Sequence, residues 1–179
     1  IGRFTLFDGM AELSGWVPTV AIVSGPSFAG HASLAGFSDI VITTRGSAIG
    51  MGGPPMVEAA LGLTLTPQEL AGVEMHELTG GIDLLVDDEP TAIELAKQYL
   101  SYLQDSSSGQ AHPSAESVAE LVPESGPYDI YPVINAIFDN ESILELRPKF
   151  ASSVVTALAR IEGRTVGVIA NNPNVNDGI

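Results

Sequence analysis

Residues 24–42 have the sequence SGPSFAGHASLAGFSDIVI, and this stretch decides the fold. It follows an apolar run at residues 17–23 that is long enough, and rich enough in β-branched residues, for one buried strand. A Gly/Pro turn comes next, a helix of small residues is predicted at 29–37, and a second buried strand is predicted at 40–44. This order of strand, turn, helix and strand predicts an α/β fold.

The start of the predicted helix is also the first candidate site. Backbone N–H groups there have no intrahelical partner and carry the positive end of the helix dipole. The small residues Ala29 and Gly30 let a ligand oxygen approach the main chain closely. These properties suit an oxyanion hole. A tight helix–strand packing turn without a ligand would need the same glycines, so the pattern by itself leaves both readings open.

Composition excludes several classes of protein. The 179 residues are 45% hydrophobic and 16% charged, which indicates a globular chain with a substantial core. The net charge of −15 argues against nucleic acid or an anionic membrane as a partner. No run of about 18 apolar residues occurs, and no signal peptide is visible. The absence of cysteine excludes disulfides and thiolate metal sites and fits a cytosolic enzyme.

Further elements follow the second strand. Helices are predicted around residues 4–13, 56–61, 87–103 and 128–138, and Thr66 and Glu69 form a predicted capping box. Residues 45–55 are predicted as a loop, because three glycines and two prolines fall in the last six of them. A strand is predicted at 142–146, and a hairpin at 154–170. The polar stretch after residue 104 predicts a linker, so we expect domains at 1–104 and 127–179 joined by 105–126.

The run that begins at Gly25 resembles the signature of the crotonase superfamily. In that signature a Gly-rich turn opens a helix that ends in a small residue and Asp, here Asp39. The resemblance implies a partial crotonase-like fold, the ββα superhelix shared with ClpP. Gly30 takes the position of an N–H donor to a coenzyme A thioester. Ser33 stands where the hydratases of the superfamily have a catalytic Glu, and this departure argues against hydration of an enoyl thioester.

A narrower resemblance covers essentially the whole chain. It is to the carboxyltransferase (beta) subunit of biotin-dependent acyl-CoA carboxylases of the acetyl- or propionyl-CoA type. The matching stretches are Ser14-Gly15 with Val17-Pro18, the turn at 25–30, and residues 49–54, 87–89, 96–102, 144–147 and 159–173. Many members have Gly-Gly where this chain has Ala29-Gly30. Alanine keeps the N–H, but a positive φ is less favourable for it.

The family resemblance implies a function and a set of site residues. The family moves a carboxyl group from carboxybiotin to the α-carbon of an acyl-CoA through an enolate stabilised by an oxyanion hole. It therefore implies Ala29 and Gly30 as backbone oxyanion donors. It also implies a substrate pocket walled by residues from two loops, Ser27, Phe28, Gly52, Gly53 and Pro54. An ordinary loop would explain residues 52–54 equally well.

The resemblance also implies partners. Members have two crotonase-like domains per subunit, and their active sites lie between subunits, usually of a hexamer in the cytoplasm. No Met-Lys-Met biotinylation motif is present, so we expect biotin on a separate protein or domain, with a biotin carboxyl carrier and a biotin carboxylase as partners. We expect no metal in this chain. We also expect the chain to be a central piece of a longer polypeptide that is inactive by itself.

The sequence is also compatible with two other functions. A biotin-dependent decarboxylase subunit would use the same motifs in the reverse direction. A non-catalytic crotonase-like assembly module would keep the fold without turnover. Three further side chains have candidate roles: His31 as a general base, and Arg160 and Arg164 as ligands of coenzyme A phosphates. Ordinary packing or surface roles explain all three as well.

Overall fold

A computed structural model describes residues 5–104 and 118–176. The chain divides into two compact units, Ile1–Lys97 and Gln98–Ile179. Most of the predicted linker at 105–126 falls on residues 105–117 and lies outside the described residues, so the predicted domain boundaries stay a prediction. No helix in the described ranges is long and apolar enough to cross a membrane.

A parallel sheet forms the centre of unit 1. Its strands are β1 (Val20–Val23), β3 (Ile40–Thr44) and β5 (Leu84–Val86), in the spatial order β1-β3-β5. All five residues of β3 are buried, as expected for the central strand of a parallel sheet. The predicted strand at 40–44 is therefore confirmed.

The predicted strand at 17–23 is too long. Strand β1 begins only at Val20, because Pro18 has no N–H to donate and the Thr19 N–H donates to the Asp39 carboxylate at 2.7 Å. The Thr19 hydroxyl donates to the same carboxylate at 2.8 Å, and the Asp39 N–H donates back to that hydroxyl at 3.0 Å. Asp39, the acid of the superfamily signature, therefore ties together the chain segments that enter β1 and β3.

A second, smaller sheet corrects the prediction of a loop at 45–55. Strands β2 (Pro26–Phe28) and β4 (Ala48–Gly50) pair in parallel, with Phe28 opposite Gly50. Helix α2 (Gly30–Gly36) follows β2, and helix α3 (Pro54–Leu61) follows β4. Two successive strand–strand–helix repeats result, β1-β2-α2 and β3-β4-α3. The buried core joins both repeats and contains residues Val23, Ala32, Ala35, Val41, Ile49, Val73 and Ile82.

The other helices of unit 1 begin and end at sequence signals. Helix α1 (Leu6–Leu13) ends at Ser14 as predicted, and α4 (Pro67–Ala71) begins with the predicted Thr66–Glu69 capping box. Helix α5 (Val73–Thr79) ends at Gly80, whose φ of 74° suits glycine. Helix α6 (Glu89–Ser101) begins in unit 1 and ends in unit 2.

The described residues of unit 2 include a short helix followed by an antiparallel sheet. Helix α7 (Tyr131–Ile137) precedes β6 (Leu144–Leu146), β7 (Val154–Ile161) and β8 (Arg164–Asn171), which pair in the order β6-β7-β8. The predicted hairpin is confirmed. Glu162 and Gly163 connect β7 to β8 with φ values of 51° and 79°, which is the left-handed pair that a two-residue hairpin turn requires.

Candidate functional site

The turn between β1 and β2 has a buried hydroxyl network beneath it. The Gly25 N–H donates to Ser47 Oγ at 2.8 Å, and Ser47 Oγ lies 3.3 Å from the Val23 carbonyl oxygen. Ser47 is almost fully buried, and its hydroxyl also lies 3.0 Å from Thr44 Oγ1. Gly25 has a φ of 96°, so a side chain at this position would be strained. The network fixes the point at which the chain leaves the central sheet toward β2.

The two predicted oxyanion donors stand in different hydrogen-bonding states. The Ala29 N–H donates to the Gly50 carbonyl oxygen at 3.0 Å, which extends the β2–β4 ladder by one bond. Gly30 is the first residue of α2, so its N–H has no intrahelical acceptor, and no hydrogen bond joins it to another described residue. Both residues are exposed. The Gly30 N–H is therefore the one that is available to a ligand in this conformation.

The backbone of Ala29 has an unusual conformation. Its φ of 52° and ψ of −119° lie in a region that favours glycine. The Ala29 carbonyl oxygen accepts two hydrogen bonds from Ser33, from the backbone N–H at 3.0 Å and from the hydroxyl at 3.2 Å. Ala29 is thus held at its nitrogen by β4 and at its oxygen by α2.

The small sheet brings the two predicted wall segments together. Phe28 pairs with Gly50, and a Cβ added to Gly53 would lie 3.6 Å from Phe28 Cγ. Gly53 is the N-cap of α3 and Pro54 its first residue, so residues 52–54 start a helix next to the end of β2. Ser27 pairs with Ile49. All five predicted wall residues therefore lie on β2 or directly after β4, and their contact with a substrate stays a prediction.

A cavity of about 440 Å³ runs along β1 and helix α2. Its wall is mostly apolar, with Val20, Ile22 and Leu34 among its residues, and its polar part includes Ser27 and His31. Of the predicted oxyanion donors and substrate-wall residues, only Ser27 lines this cavity, together with the candidate base His31. The cavity therefore suits an apolar ligand group that lies beside a few serine hydroxyls.

The three remaining candidate side chains, His31, Arg160 and Arg164, lie in different surroundings. His31 is exposed at the start of α2, and its role as a base stays a prediction. The Arg160 guanidinium donates to Ser101 Oγ at 2.8 Å and lies 4.5 Å from the centre of the Tyr102 ring, so it is held within unit 2 by these contacts. Arg164 is exposed. Among residues 5–104 and 118–176 no group of three or more His, Asp or Glu could hold a metal ion.

Sequence reasoning missed the residues that hold the donor turn. Ser47 and Gly50 act through contacts to Gly25 and Ala29 that join segments far apart in sequence, although Gly50 lies in the matching stretch 49–54. The Ser33 hydroxyl acts on the Ala29 carbonyl oxygen four residues earlier, and no motif assigns it that role. Its one signal in the sequence is that Ser33 stands where the hydratases of the superfamily have an acid.

Comparison with known proteins gives a consistent picture. Residues 2–179 match the family model described as carboxyl transferase domain. A single-chain, multi-domain long-chain acyl-CoA carboxylase has a solved structure that is 39% identical, with a TM-score of 0.89 over 99% of this chain and 18% of that chain. The hexameric transcarboxylase 12S, solved with methylmalonyl-coenzyme A and methylmalonic acid bound, is 33% identical, with a TM-score of 0.84 over 96% of this chain and 36% of that chain.

A curated relative adds a biotin-dependent enzyme. The biotin-dependent 3-methylcrotonyl-coenzyme A carboxylase beta1 subunit of Mycobacterium tuberculosis is 33% identical over 93% of this chain. The chain spans 34–37% of the length of the first curated relatives that it matches. The predicted crotonase-like α/β fold and the resemblance to carboxyltransferases are both confirmed. The match across residues 2–179 shows that this chain belongs to the carboxyl transferase domain family.

Proposed function

We propose that the complete protein is the carboxyltransferase component of a biotin-dependent acyl-CoA carboxylase. The observation that carries this proposal is the family match across residues 2–179. Relatives named as a long-chain acyl-CoA carboxylase, a methylmalonyl-CoA carboxyltransferase 12S subunit and a 3-methylcrotonyl-coenzyme A carboxylase subunit support the same reaction class. The substrates in this proposal are an acyl-CoA and carboxybiotin.

The reaction requires a developing negative charge to be stabilised. Loss of the α-proton of the acyl-CoA places negative charge on the thioester oxygen, and a fixed N–H donor lowers the free energy of that state. The electron pair of this enolate then forms a bond from the α-carbon to the carboxyl carbon of carboxybiotin. The carbon–nitrogen bond to that carboxyl breaks, and its electron pair stays on the nitrogen, which takes up a proton.

Gly30 is the principal oxyanion donor in this proposal. Its exposed N–H has no acceptor among the described residues, whereas the Ala29 N–H already donates to Gly50. Ala29 donates to the same oxyanion only where its hydrogen bond to Gly50 is shared between two acceptors. Ser27, Phe28 and residues 52–54 form the substrate wall of the proposal, because β2 and β4 place them beside the donor turn.

The proposal includes the partners of the family. Carboxybiotin arrives on a biotin carboxyl carrier after a biotin carboxylase has charged it, and the protein works in the cytoplasm as an oligomer. The hexamer assembly of transcarboxylase 12S supports the oligomer, and the exposed apolar side chains Trp16, Met51, Met56 and Leu61 are available for contacts between subunits.

The test uses the complete protein, carboxybiotin and acyl-CoA substrates of increasing chain length. We expect carboxyl transfer to at least one of them. Replacement Gly30→Pro deletes the donor, and we expect kcat to fall by about 100-fold or more. Gly30→Ala is the control, since it keeps the N–H and brings its Cβ to 3.4 Å from Phe7 Cζ.

Three results would each contradict a different part of the proposal. Absence of transfer to every acyl-CoA by the folded, oligomeric protein would exclude the carboxyltransferase function. Full activity of folded Gly30→Pro would leave the function intact but remove Gly30 from the oxyanion hole. Acyl-CoA that binds without turnover would favour the non-catalytic assembly module.

A further inference from the structure

We propose that Ser33 is a positioning residue, whose hydroxyl holds the Ala29–Gly30 peptide in the orientation that presents the Gly30 N–H to the substrate. The inference rests on the proposed function of Gly30 as an oxyanion donor. It assigns a role to the position at which hydratases of the superfamily have an acid. In this chain that position acts on the backbone rather than on a proton of the substrate.

The argument begins with the shape of a peptide unit. The Ala29 carbonyl and the Gly30 N–H belong to one planar trans peptide, in which the C=O and N–H bonds point in opposite directions. Any contact that fixes the carbonyl oxygen therefore fixes the direction of the N–H. Ser33 fixes this oxygen with two hydrogen bonds, 3.0 Å from its backbone nitrogen and 3.2 Å from its hydroxyl.

The hydrogen bonds from Ser33 are needed because the Ala29–Gly30 peptide has a second possible orientation. With a φ of 52° and a ψ of −119°, Ala29 has a backbone conformation that is costly for a residue with a side chain. A flip of the Ala29–Gly30 peptide by half a turn would bring ψ to about 60°, close to the left-handed region that alanine tolerates better. The same flip would turn the Gly30 N–H to the opposite side. The relaxed conformation of Ala29 is thus the one in which the donor is misdirected.

Ser33 opposes the flip, because both of its hydrogen bonds to the Ala29 oxygen would be lost. Donation to that oxygen also polarises the peptide and makes its own N–H a better donor. Among the described residues, the Ser33 hydroxyl has one further hydrogen-bond partner, Met51 Sδ at 3.7 Å. Sulfur is the weaker acceptor, so the carbonyl at 3.2 Å takes the proton.

Helix α5 offers a matched control. The Thr79 hydroxyl donates to the Met75 carbonyl oxygen at 3.0 Å, four residues earlier, which is the same local pattern as Ser33 to Ala29. Thr79 is exposed and belongs to a helix that contributes no predicted site residue. Loss of such a hydrogen bond at Thr79 measures the purely structural effect.

The experiment compares Ser33→Ala, Ser33→Thr and Thr79→Val in the complete protein. For Ser33→Ala we expect kcat to fall by about 10-fold while the KM for acyl-CoA stays within about twofold, because the donor matters most when charge has developed on the oxygen. Ser33→Thr keeps a hydroxyl that can donate four residues back, and we expect it to restore most of kcat. Thr79→Val should retain wild-type kinetics.

A second measurement needs no turnover. Hydrogen–deuterium exchange followed by mass spectrometry reports on the Ser33 amide, whose N–H donates to the Ala29 carbonyl oxygen at 3.0 Å and loses this protection if the Ala29–Gly30 peptide flips. We expect faster exchange at this amide in Ser33→Ala and wild-type exchange in Thr79→Val. Together with melting temperatures, this separates a local flip from general unfolding.

The outcomes distinguish the two proposals. If Gly30→Pro abolishes transfer while Ser33→Ala keeps full kcat and unchanged exchange, the role of Ser33 is wrong and that of Gly30 stands. If Ser33→Ala raises KM alone, or if Ser33→Thr restores nothing, the positioning role is also wrong. If folded Gly30→Pro keeps full activity, the oxyanion role of Gly30 fails first, and the inference about Ser33 fails with it.

Discussion

The backbone nitrogen of Ala29 lies 3.0 Å from the carbonyl oxygen of Gly50, and this hydrogen bond joins the start of α2 to the end of β4. It holds an alanine at a φ of 52°, a backbone conformation that glycine adopts more readily. The strained residue and the predicted donor Gly30 are neighbours in sequence. Strain of this kind persists only where surrounding contacts over-determine the conformation.

Replacement Ala29→Gly tests the strain directly. It removes a conformational cost of about 1–3 kcal/mol in the folded state but adds about 0.5–1 kcal/mol of entropy to the unfolded state. We therefore expect the free energy of unfolding to stay unchanged or to rise by about 1–2 kcal/mol. Denaturant unfolding measures this quantity.

The matched control for this substitution is Ala59→Gly. Ala59 is exposed inside α3, so we expect its replacement to lower the free energy of unfolding by about 1 kcal/mol. Equal losses at both positions would show that Ala29 is not strained.

Replacement Ser47→Ala tests the hydroxyl network under the β1–β2 turn. It leaves the half-buried Gly25 N–H without its acceptor at 2.8 Å, and we expect a loss of about 1–2 kcal/mol in the free energy of unfolding. The exposed pair of Thr64 and Glu58 serves as a comparison, since Thr64→Ala should change stability by less than about 0.5 kcal/mol. A neutral Ser47→Ala would mean that the turn is fixed by other contacts.

Replacement Asp139→Ala tests the hairpin of unit 2. The buried Asp139 carboxylate accepts hydrogen bonds from the Glu162 N–H at 3.0 Å and the Gly163 N–H at 2.7 Å. Its removal leaves both N–H groups without this acceptor, and we expect a loss of about 2–3 kcal/mol. Asp139→Asn keeps one acceptor oxygen and should fall between the wild type and Asp139→Ala. Wild-type unfolding of Asp139→Ala would exclude this anchoring role.

Ionisation of Tyr131 is expected to lower the free energy of unfolding at alkaline pH. Burial raises the pKa of the Tyr131 phenol to about 12, and its hydrogen bond to the Glu145 carboxylate at 2.9 Å adds to this effect. The unfolded value is 10.0, so the folded state prefers the neutral phenol. The contribution of Tyr131 is complete below pH 10 and is lost as the pH rises from 10 to about 12.

The measurement is an unfolding series between pH 9 and pH 12, with tyrosinate absorbance recorded in parallel. Tyr131→Phe cannot ionise, so its stability should fall less across this range than that of the wild type. An identical decline in both proteins would show that the pKa of Tyr131 is not raised.

Much of the fold could be predicted from the sequence because local signals agree with tertiary ones. The buried strand β3 contains only β-branched residues, and the hairpin after Val154 turns at Glu162-Gly163, where the glycine accepts a positive φ. Each signal lies within a few residues, so a single sequence contains it.

The small sheet could not be predicted in the same way. Strand β4 has three residues and lies among glycines, which is too short for any periodicity to show. Its pairing with β2 decides that the Ala29 N–H is occupied and that the Gly30 N–H is open. Because register between distant segments is a tertiary property, the sequence could indicate both donors but could not tell them apart.

Strand β1 has a consequence for handling the molecule. In the described part of unit 1 it pairs with β3 alone, so the other edge of Val20–Val23 presents backbone groups without strand partners. Ile22 on this strand is 39% exposed, and Trp16 nearby in sequence is 86% exposed. Open apolar edges of this kind promote strand-to-strand aggregation. Residues 1–179 expressed in isolation should therefore precipitate with increasing concentration, and added charge at Ile22 should delay this.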